Sequence, residues 1–64
     1  MWVQIRSAPN LMIAEMWREF FEAEGIPTRL LADHNGIEKR ELAGYRVYIP
    51  QEKEHVAQEV LRKA

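Results

Sequence analysis

Two stretches of the chain alternate between apolar and polar residues, which is the pattern of a half-buried β-strand. In the first stretch, Trp2–Arg6, the side chains of Val3 and Ile5 point to one side and the others point to the opposite side. In the second stretch, Tyr45–Ile49, the odd-numbered residues share one side and the even-numbered residues share the other. A shorter segment, Thr28–Ala32, is predicted to form another strand.

The segment Leu11–Glu24 is predicted to form a helix, because its apolar residues recur three and four positions apart. They make one broad stripe, which consists of Ile13, Ala14, Trp17, Phe20 and Phe21. Asn10 is suited to cap the N-terminus, since its side chain can accept a hydrogen bond from an early helix N–H. Gly25 suits the left-handed position after the last turn, where Ile26 would pack back on the helix, and Pro27 prevents continuation.

A second helix is predicted over Gln51–Ala64. Its apolar stripe is narrower and consists of Val56, Ala57, Val60 and Leu61. Acidic residues near its start and basic residues near its end match the helix dipole: Glu52, Glu54, Arg62 and Lys63.

The order strand, helix, strand, strand, helix predicts a single two-layer α+β domain over residues 1–64. The first helix carries the chain to a parallel strand by a crossover that is almost always right-handed. The loop Ala32–Gly44 then lets the third strand return between the first two, which gives the sheet order 1-3-2. Within this loop, Glu38–Glu41 forms either a helical turn or an excursion from the hairpin.

Both helices are expected to cover one face of the sheet. The side chains expected to pack there are Val3, Ile5, Val47 and Ile49 from the sheet and Trp17, Phe21, Val56 and Val60 from the helices. The opposite face has no helix to cover it, and by alternation it presents Trp2, Gln4, Arg6, Arg46 and Tyr48. These five residues are our candidate interface, because an uncovered face with exposed aromatic side chains is typical of a binding surface.

Length and composition limit the classes of protein to which the chain can belong. With 64 residues and no cysteine, it has no disulfide and no thiolate metal cluster, and its stability depends on good packing or self-association. The net charge of −1 argues against a nucleic-acid partner. No segment reaches the roughly 18 apolar residues of a membrane span, and the first residues lack a signal-peptide pattern, so we expect a cytoplasmic protein.

A metal site is not predicted. Asp33 and His34 are adjacent and His55 is the one other histidine, but the spacing of helical zinc motifs is absent. We expect a solvated turn at the first two residues and a surface position for the third.

An active site is not predicted either. The sequence places no histidine or acid near Ser7, the only serine, so a nucleophilic triad has no support. The carboxylates of the first helix are expected on its solvent side, near Arg18: Glu15, Glu19 and Glu22. The aromatic residues of this helix have the spacing of a core rather than of a ligand pocket. We therefore predict no enzymatic activity, no catalytic residues and no cofactor.

Four short segments are distinctive when taken together. They are Trp2-Val3-x-Ile5, Ser7-x-Pro9-Asn10, Phe21-Glu22-Ala23-Glu24-Gly25-Ile26-Pro27 and Val47-Tyr48-Ile49-Pro50. Across nearly its whole length the chain thereby resembles a family of small bacterial proteins labelled prokaryotic signal transducing protein. The resemblance implies a ferredoxin-like β-α-β-β-α fold similar to that of the PII signalling proteins. It implies no catalytic or ligand residues, and the functional label itself rests on fold analogy. The chain departs from the expected pattern at Gln51, where an acidic or small capping residue would follow the proline.

The sequence therefore predicts a non-enzymatic cytoplasmic module with a regulatory or interaction role, and the family resemblance implies signal transduction. The expected partners are a second copy of the chain, forming a homo-oligomer, and an unidentified protein or small ligand. The alternative is a single-stranded nucleic-acid binder that uses the same face. In that case Trp2 and Tyr48 would stack on bases, while Arg6 and Arg46 would contact phosphates.

Overall fold

A computed structural model describes residues 1–33 and 44–63 of the chain. Its elements are strand β1 Trp2–Ala8, helix α1 Leu11–Ala23, strand β2 Arg29–Asp33, strand β3 Gly44–Pro50, a 3-10 turn Gln51–Lys53 and helix α2 Glu54–Lys63. The predicted loop Ala32–Gly44 is shorter at both ends, because Ala32, Asp33 and Gly44 belong to paired strands. The prediction that Asp33 lies in a turn is therefore wrong. The interior of that loop, including His34 and Glu38–Glu41, lies outside the described residues.

The three strands form one sheet in the order β1-β3-β2. The central strand β3 pairs antiparallel with both neighbours, with Val3 opposite Ile49 on one side and Leu30 opposite Val47 on the other. β1 and β2 therefore run parallel to each other, as a crossover through α1 requires. The predicted α+β fold, β-α-β-β-α with sheet order 1-3-2, is confirmed.

Helix α1 begins and ends at the predicted capping residues. Asn10 Oδ1 accepts a hydrogen bond of 2.9 Å from the N–H of Ile13. At the other end Gly25 has a φ of +81°, and the N–H of Ile26 donates to the carbonyl of Phe21 at 3.0 Å. This arrangement is a Schellman motif, and it turns the chain so that Ile26 and Phe21 lie together in the core.

The core lies between the sheet and the two helices. Its main cluster contains side chains that are at most 1% exposed: Phe21, Ile26, Val47, Ile49 and Ala57. Partly buried side chains surround it: Val3, Ile5, Trp17, Phe20, Leu30, Val60 and Leu61. The three aromatic rings of α1 pack on one another with centroids 5.6 to 6.0 Å apart, which confirms that they belong to the core. A smaller cluster contains Ala8, Ala14 and Tyr45.

Helix α2 differs from the prediction at its start. Gln51–Lys53 is a 3-10 turn without a side-chain cap, and the N–H of Gln51 donates to the carbonyl of Met1 at 2.7 Å. On α2 it is Ala57 that faces the sheet and is fully buried, whereas Val56 is 42% exposed. Neighbouring residues lie about 100° apart around a helix axis, so Val56 falls on the margin of the buried stripe. The prediction that it packs in the core is wrong.

Strand β1 contains a β-bulge. Gln4 lies opposite Tyr48 and Arg6 lies opposite Val47, so Ile5 is an extra residue in β1. An extra residue reverses the alternation of the side chains that follow it. The side chain of Arg6 is therefore on the helix side of the sheet, as is that of buried Val47, although Arg6 itself remains exposed.

Candidate interface on the open sheet face

The side of the sheet opposite the helices carries side chains from all three strands. They follow from the register, because residues directly opposite each other in antiparallel strands project to the same side. They are Trp2, Gln4 and Ser7 from β1, Arg29, Leu31 and Asp33 from β2, and Arg46, Tyr48 and Pro50 from β3. We call this surface the open face. Trp2, Gln4, Arg46 and Tyr48 lie on it, as predicted.

A cation–π contact crosses the open face from one outer strand to the other. The guanidinium carbon of Arg29 in β2 lies 4.5 Å from the ring centre of Trp2 in β1. Between them is Tyr48 of β3, which lies opposite both Gln4 and Arg29. An exposed contact of this kind stabilises by about 0.5–1 kcal/mol. It holds the Trp2 ring, which remains 37% exposed, in a defined place on the surface.

A second charged group on the open face is Arg46. Its Nη2 lies 4.0 Å from Oδ1 of Asp33, and both side chains remain largely in solvent, so the pair contributes at most about 1 kcal/mol. The pKa of Arg46 is raised above its ordinary value, first by hydrogen bonding to the Tyr48 side chain and then by the charge of Asp33. Arginine is charged at every ordinary pH, so the open face carries two fixed positive charges and one carboxylate.

Arg6 does not belong to the open face, and its predicted place there is wrong. Its guanidinium carbon lies 4.7 Å from the ring centre of Trp17, which is on α1. The physical reason is the bulge at Ile5, which turns the Arg6 side chain to the helix side of the sheet. The candidate interface therefore loses one predicted arginine.

Sequence reasoning missed five members of the open face: Ser7 of β1, Pro50 of β3, and Arg29, Leu31 and Asp33 of β2. Leu31 is 48% exposed, as an apolar side chain on an uncovered face should be. Alternation along β2 puts its three residues on one side of the strand, so the sequence indicated that they share a face. The register shows which face this is, since Arg29 lies opposite Tyr48 and Leu31 lies opposite Arg46.

Residues that suggested chemistry are dispersed in the structure. Within 1–33 and 44–63, no group of three or more His, Cys, Asp or Glu side chains is placed to hold a metal ion. His55 is exposed on α2, and Ser7 is an exposed strand residue. The α1 carboxylates are exposed, which confirms their predicted solvent side: Glu15, Glu19 and Glu22. On this side of the helix, Nη2 of Arg18 lies 3.7 Å from Oε2 of Glu15.

Two grooves flank α2 away from the open face. The first, of about 530 Å³, is lined by Ile5, Arg6, Gln58, Glu59, Leu61 and Arg62. The second, of about 410 Å³, is lined by Phe20, Glu24, Val56, Glu59, Val60 and Lys63. Both are open to solvent, whereas a small-molecule site buries most of its ligand. The open face is therefore the stronger candidate for a binding surface.

Comparisons of the chain with family models, with curated proteins and with solved structures give no match. The resemblance to the signal-transducing family therefore stays a prediction. Neither α1 nor α2, the α-helices of the described ranges, has the length and apolar character needed to cross a membrane.

Proposed function

We propose that this chain is a non-enzymatic cytoplasmic interaction module that self-associates through its open face, where a regulatory protein partner also binds. The observation that carries the proposal is the Arg29 guanidinium, which lies over the Trp2 ring on a sheet face that neither described α-helix covers. Aromatic and arginine side chains dominate the binding energy of most interfaces. Signal transduction is the regulatory role that the family resemblance implies.

The size of the open face supports a weak contact. β1 and β3 have seven residues each and β2 has five. At about 3.3 Å per residue and a strand spacing of about 4.8 Å, the three strands form a face of roughly 300 Å². A standard stable interface buries about 800 Å² on each partner. Even with the relief of the side chains, one open face falls short of that area. We therefore expect self-association that depends on protein concentration.

Exposed apolar side chains supply the driving force. Trp2 and Leu31 are 37% and 48% exposed on the open face, and burying apolar surface stabilises a contact by about 25 cal/mol per Å². Arg29 and Arg46 outnumber Asp33 on this face, while the whole chain has a net charge of −1. The open face is thus more positive than the rest of the chain, and it favours a regulatory partner with an acidic surface.

The test compares the sedimentation of the wild type and the double variant Trp2→Ala/Tyr48→Ala over a range of concentrations. The average mass of the wild type should rise above the 7.6 kDa of one chain, and the variant should need at least tenfold more protein for the same rise. The matched control is Met12→Ala/Met16→Ala, which removes exposed apolar side chains from α1. It should behave as the wild type does. Unchanged assembly of the Trp2/Tyr48 variant, with an intact circular-dichroism spectrum, would contradict the proposal.

A second candidate function is the binding of single-stranded nucleic acid. The observation that favours it is the presence of two aromatic rings and two guanidinium groups on one sheet face, since aromatic side chains stack on bases and arginines contact phosphates. Its test is a fluorescence titration with single-stranded RNA at low and moderate salt. A binder weakens steeply as salt rises, and absence of binding at low salt excludes this function.

A further inference from the structure

The outer edge of β2 has a self-complementary order of side chains. Among the described residues, 1–33 and 44–63, β2 is an outer strand of the sheet, and its pairing with β3 is regular over all five residues. On the open face it presents a cation at Arg29, an apolar side chain at Leu31 and an anion at Asp33. The two charges are equally distant from Leu31 along the strand. A two-fold rotation about Leu31 therefore places each charge at the position that the opposite charge occupied.

We propose that β2 pairs with the β2 strand of a second copy of this chain, antiparallel and about a two-fold axis at Leu31. Arg29 of each copy then lies opposite Asp33 of the other, and the two Leu31 side chains face each other. On the helix side, Leu30 of each copy lies opposite Ala32 of the other. The pairing adds roughly four to six backbone hydrogen bonds, and it joins the two sheets into one sheet of six strands.

The other edge of the sheet does not offer this contact. β1 carries the bulge at Ile5, between Gln4 and Arg6. A bulge bends an edge strand and interrupts its row of hydrogen-bonding groups, which is one of the ways in which proteins block unwanted strand addition. β2 has no such irregularity in its register. The asymmetry between the two edges directs the second copy to β2.

Arg29 changes partner when the second copy binds. In the single chain its guanidinium leans over Trp2, at 4.5 Å from the ring centre, rather than outward from the edge. Asp33 likewise exchanges its 4.0 Å contact with Arg46 for the Arg29 of the second copy. Exposed cation–π contacts and exposed ion pairs each contribute at most about 1 kcal/mol, so the new charge pairs add little net attraction. The backbone hydrogen bonds and Leu31 supply most of the attraction, and the charge pairs fix the direction and register of the two strands.

This contact goes beyond the proposed function, because it uses the edge of the sheet rather than its open face. The two contacts are compatible. Edge pairing leaves the two open faces side by side, so their combined area is about twice the roughly 300 Å² of one sheet. A joined surface of this size is closer to what a stable interface needs.

The first test is a cross-linking experiment at Leu31. The chain contains no cysteine, so Leu31→Cys introduces a single thiol. Directly opposite residues have Cβ atoms about 4.5–5.5 Å apart, which is close to the reach of a disulfide. The matched control is Met16→Cys on α1, since Met16 is 50% exposed and Leu31 is 48% exposed. Under mild oxidation at equal concentration, the Leu31 variant should cross-link at least tenfold faster. Equal rates would overturn the proposal.

The second test is a charge exchange in the Leu31→Cys chain, with circular dichroism confirming the fold of each variant. Arg29→Asp alone or Asp33→Arg alone puts like charges opposite each other, and each should slow cross-linking several-fold. The two substitutions together restore opposite charges and should restore the rate to within about threefold. A double variant as slow as the single variants would overturn the two-fold register.

A third variant separates the edge contact from the face contact. Trp2→Ala/Tyr48→Ala, added to the Leu31→Cys chain, should leave the rate of cross-linking unchanged even where it lowers the sedimenting mass. If cross-linking is lost with these two side chains, the second copy binds the open face and the edge contact is wrong. If cross-linking persists while the sedimenting mass does not respond, the edge contact stands and the open-face proposal fails.

Discussion

Asn10 and Gly25 determine where α1 begins and ends. The Asn10 side chain accepts the N–H of Ile13, and Gly25 supplies the positive φ that lets Ile26 return to the core. Each effect is local, so each can be removed by one substitution. The loss of stability that each substitution causes measures how much the capping residue contributes to the stability of this domain.

Asn10→Ala should destabilise the fold by about 1 kcal/mol, because it leaves an early helix N–H without its side-chain acceptor. In a domain of this size that loss lowers the melting temperature by roughly 4–8 °C. Thermal unfolding followed by circular dichroism measures it. Ser7→Ala, at an exposed strand position, is the control and should change the melting temperature by less than half as much. Equal melting temperatures for the wild type and Asn10→Ala would show that the cap contributes nothing.

Gly25→Ala should cost about 1–2 kcal/mol, since a side chain disfavours a φ of +81°. An added Cβ at this position meets nothing within 4 Å in the part of the chain that the structure describes, so the cost comes from the backbone and not from a clash. Asparagine tolerates this conformation better than alanine. Gly25→Asn should therefore retain more stability than Gly25→Ala in urea unfolding. The reverse order would contradict a backbone origin.

At the scale of the elements, two irregularities decide which side chains face the helices. The bulge in β1 turns Arg6 to the helix side of the sheet, where its guanidinium lies over the ring of Trp17 from α1. The orientation of α2 buries Ala57 and leaves Val56 at the margin. Neither the bulge in β1 nor the rotation of α2 could be predicted from the sequence alone. Alternation assumes an unbroken strand, and a bulge depends on pairing with a partner whose register is unknown. A stripe of four apolar residues likewise leaves the rotation of a helix open.

The rotation of α2 can be tested with one substitution made at two positions. Val60 packs against the main core cluster, whereas Val56 is 42% exposed. Val60→Ala should destabilise the domain by about 1–2 kcal/mol, and Val56→Ala by less than about 0.5 kcal/mol. Both replace the same side chain in the same helix, so intrinsic helix propensity cancels between them. Equal effects in urea unfolding would mean that the helix is rotated toward Val56.

At the scale of the whole molecule, the order of elements restricts the topology strongly. A strand, a crossover helix and a parallel strand, followed by an antiparallel return, leave the centre of the sheet for β3. This is why the fold could be predicted while the membership of its open face was only partly right. Trp2, Gln4, Arg46 and Tyr48 precede the bulge or belong to the regular strand β3. Arg29 and Leu31 needed the register of β2, which no local pattern contains.

If the open face is the contact surface of this domain, the two tryptophans of the chain should respond differently to self-association. Trp2 lies on the open face, and Trp17 lies on the helix side of the sheet. The measurement is a series of ¹H–¹⁵N spectra of the labelled chain over a range of protein concentrations, in which the two indole N–H signals are followed. We expect the Trp2 signal to shift with concentration and the Trp17 signal to stay fixed. A Trp2 signal that stays fixed while other signals shift would contradict it.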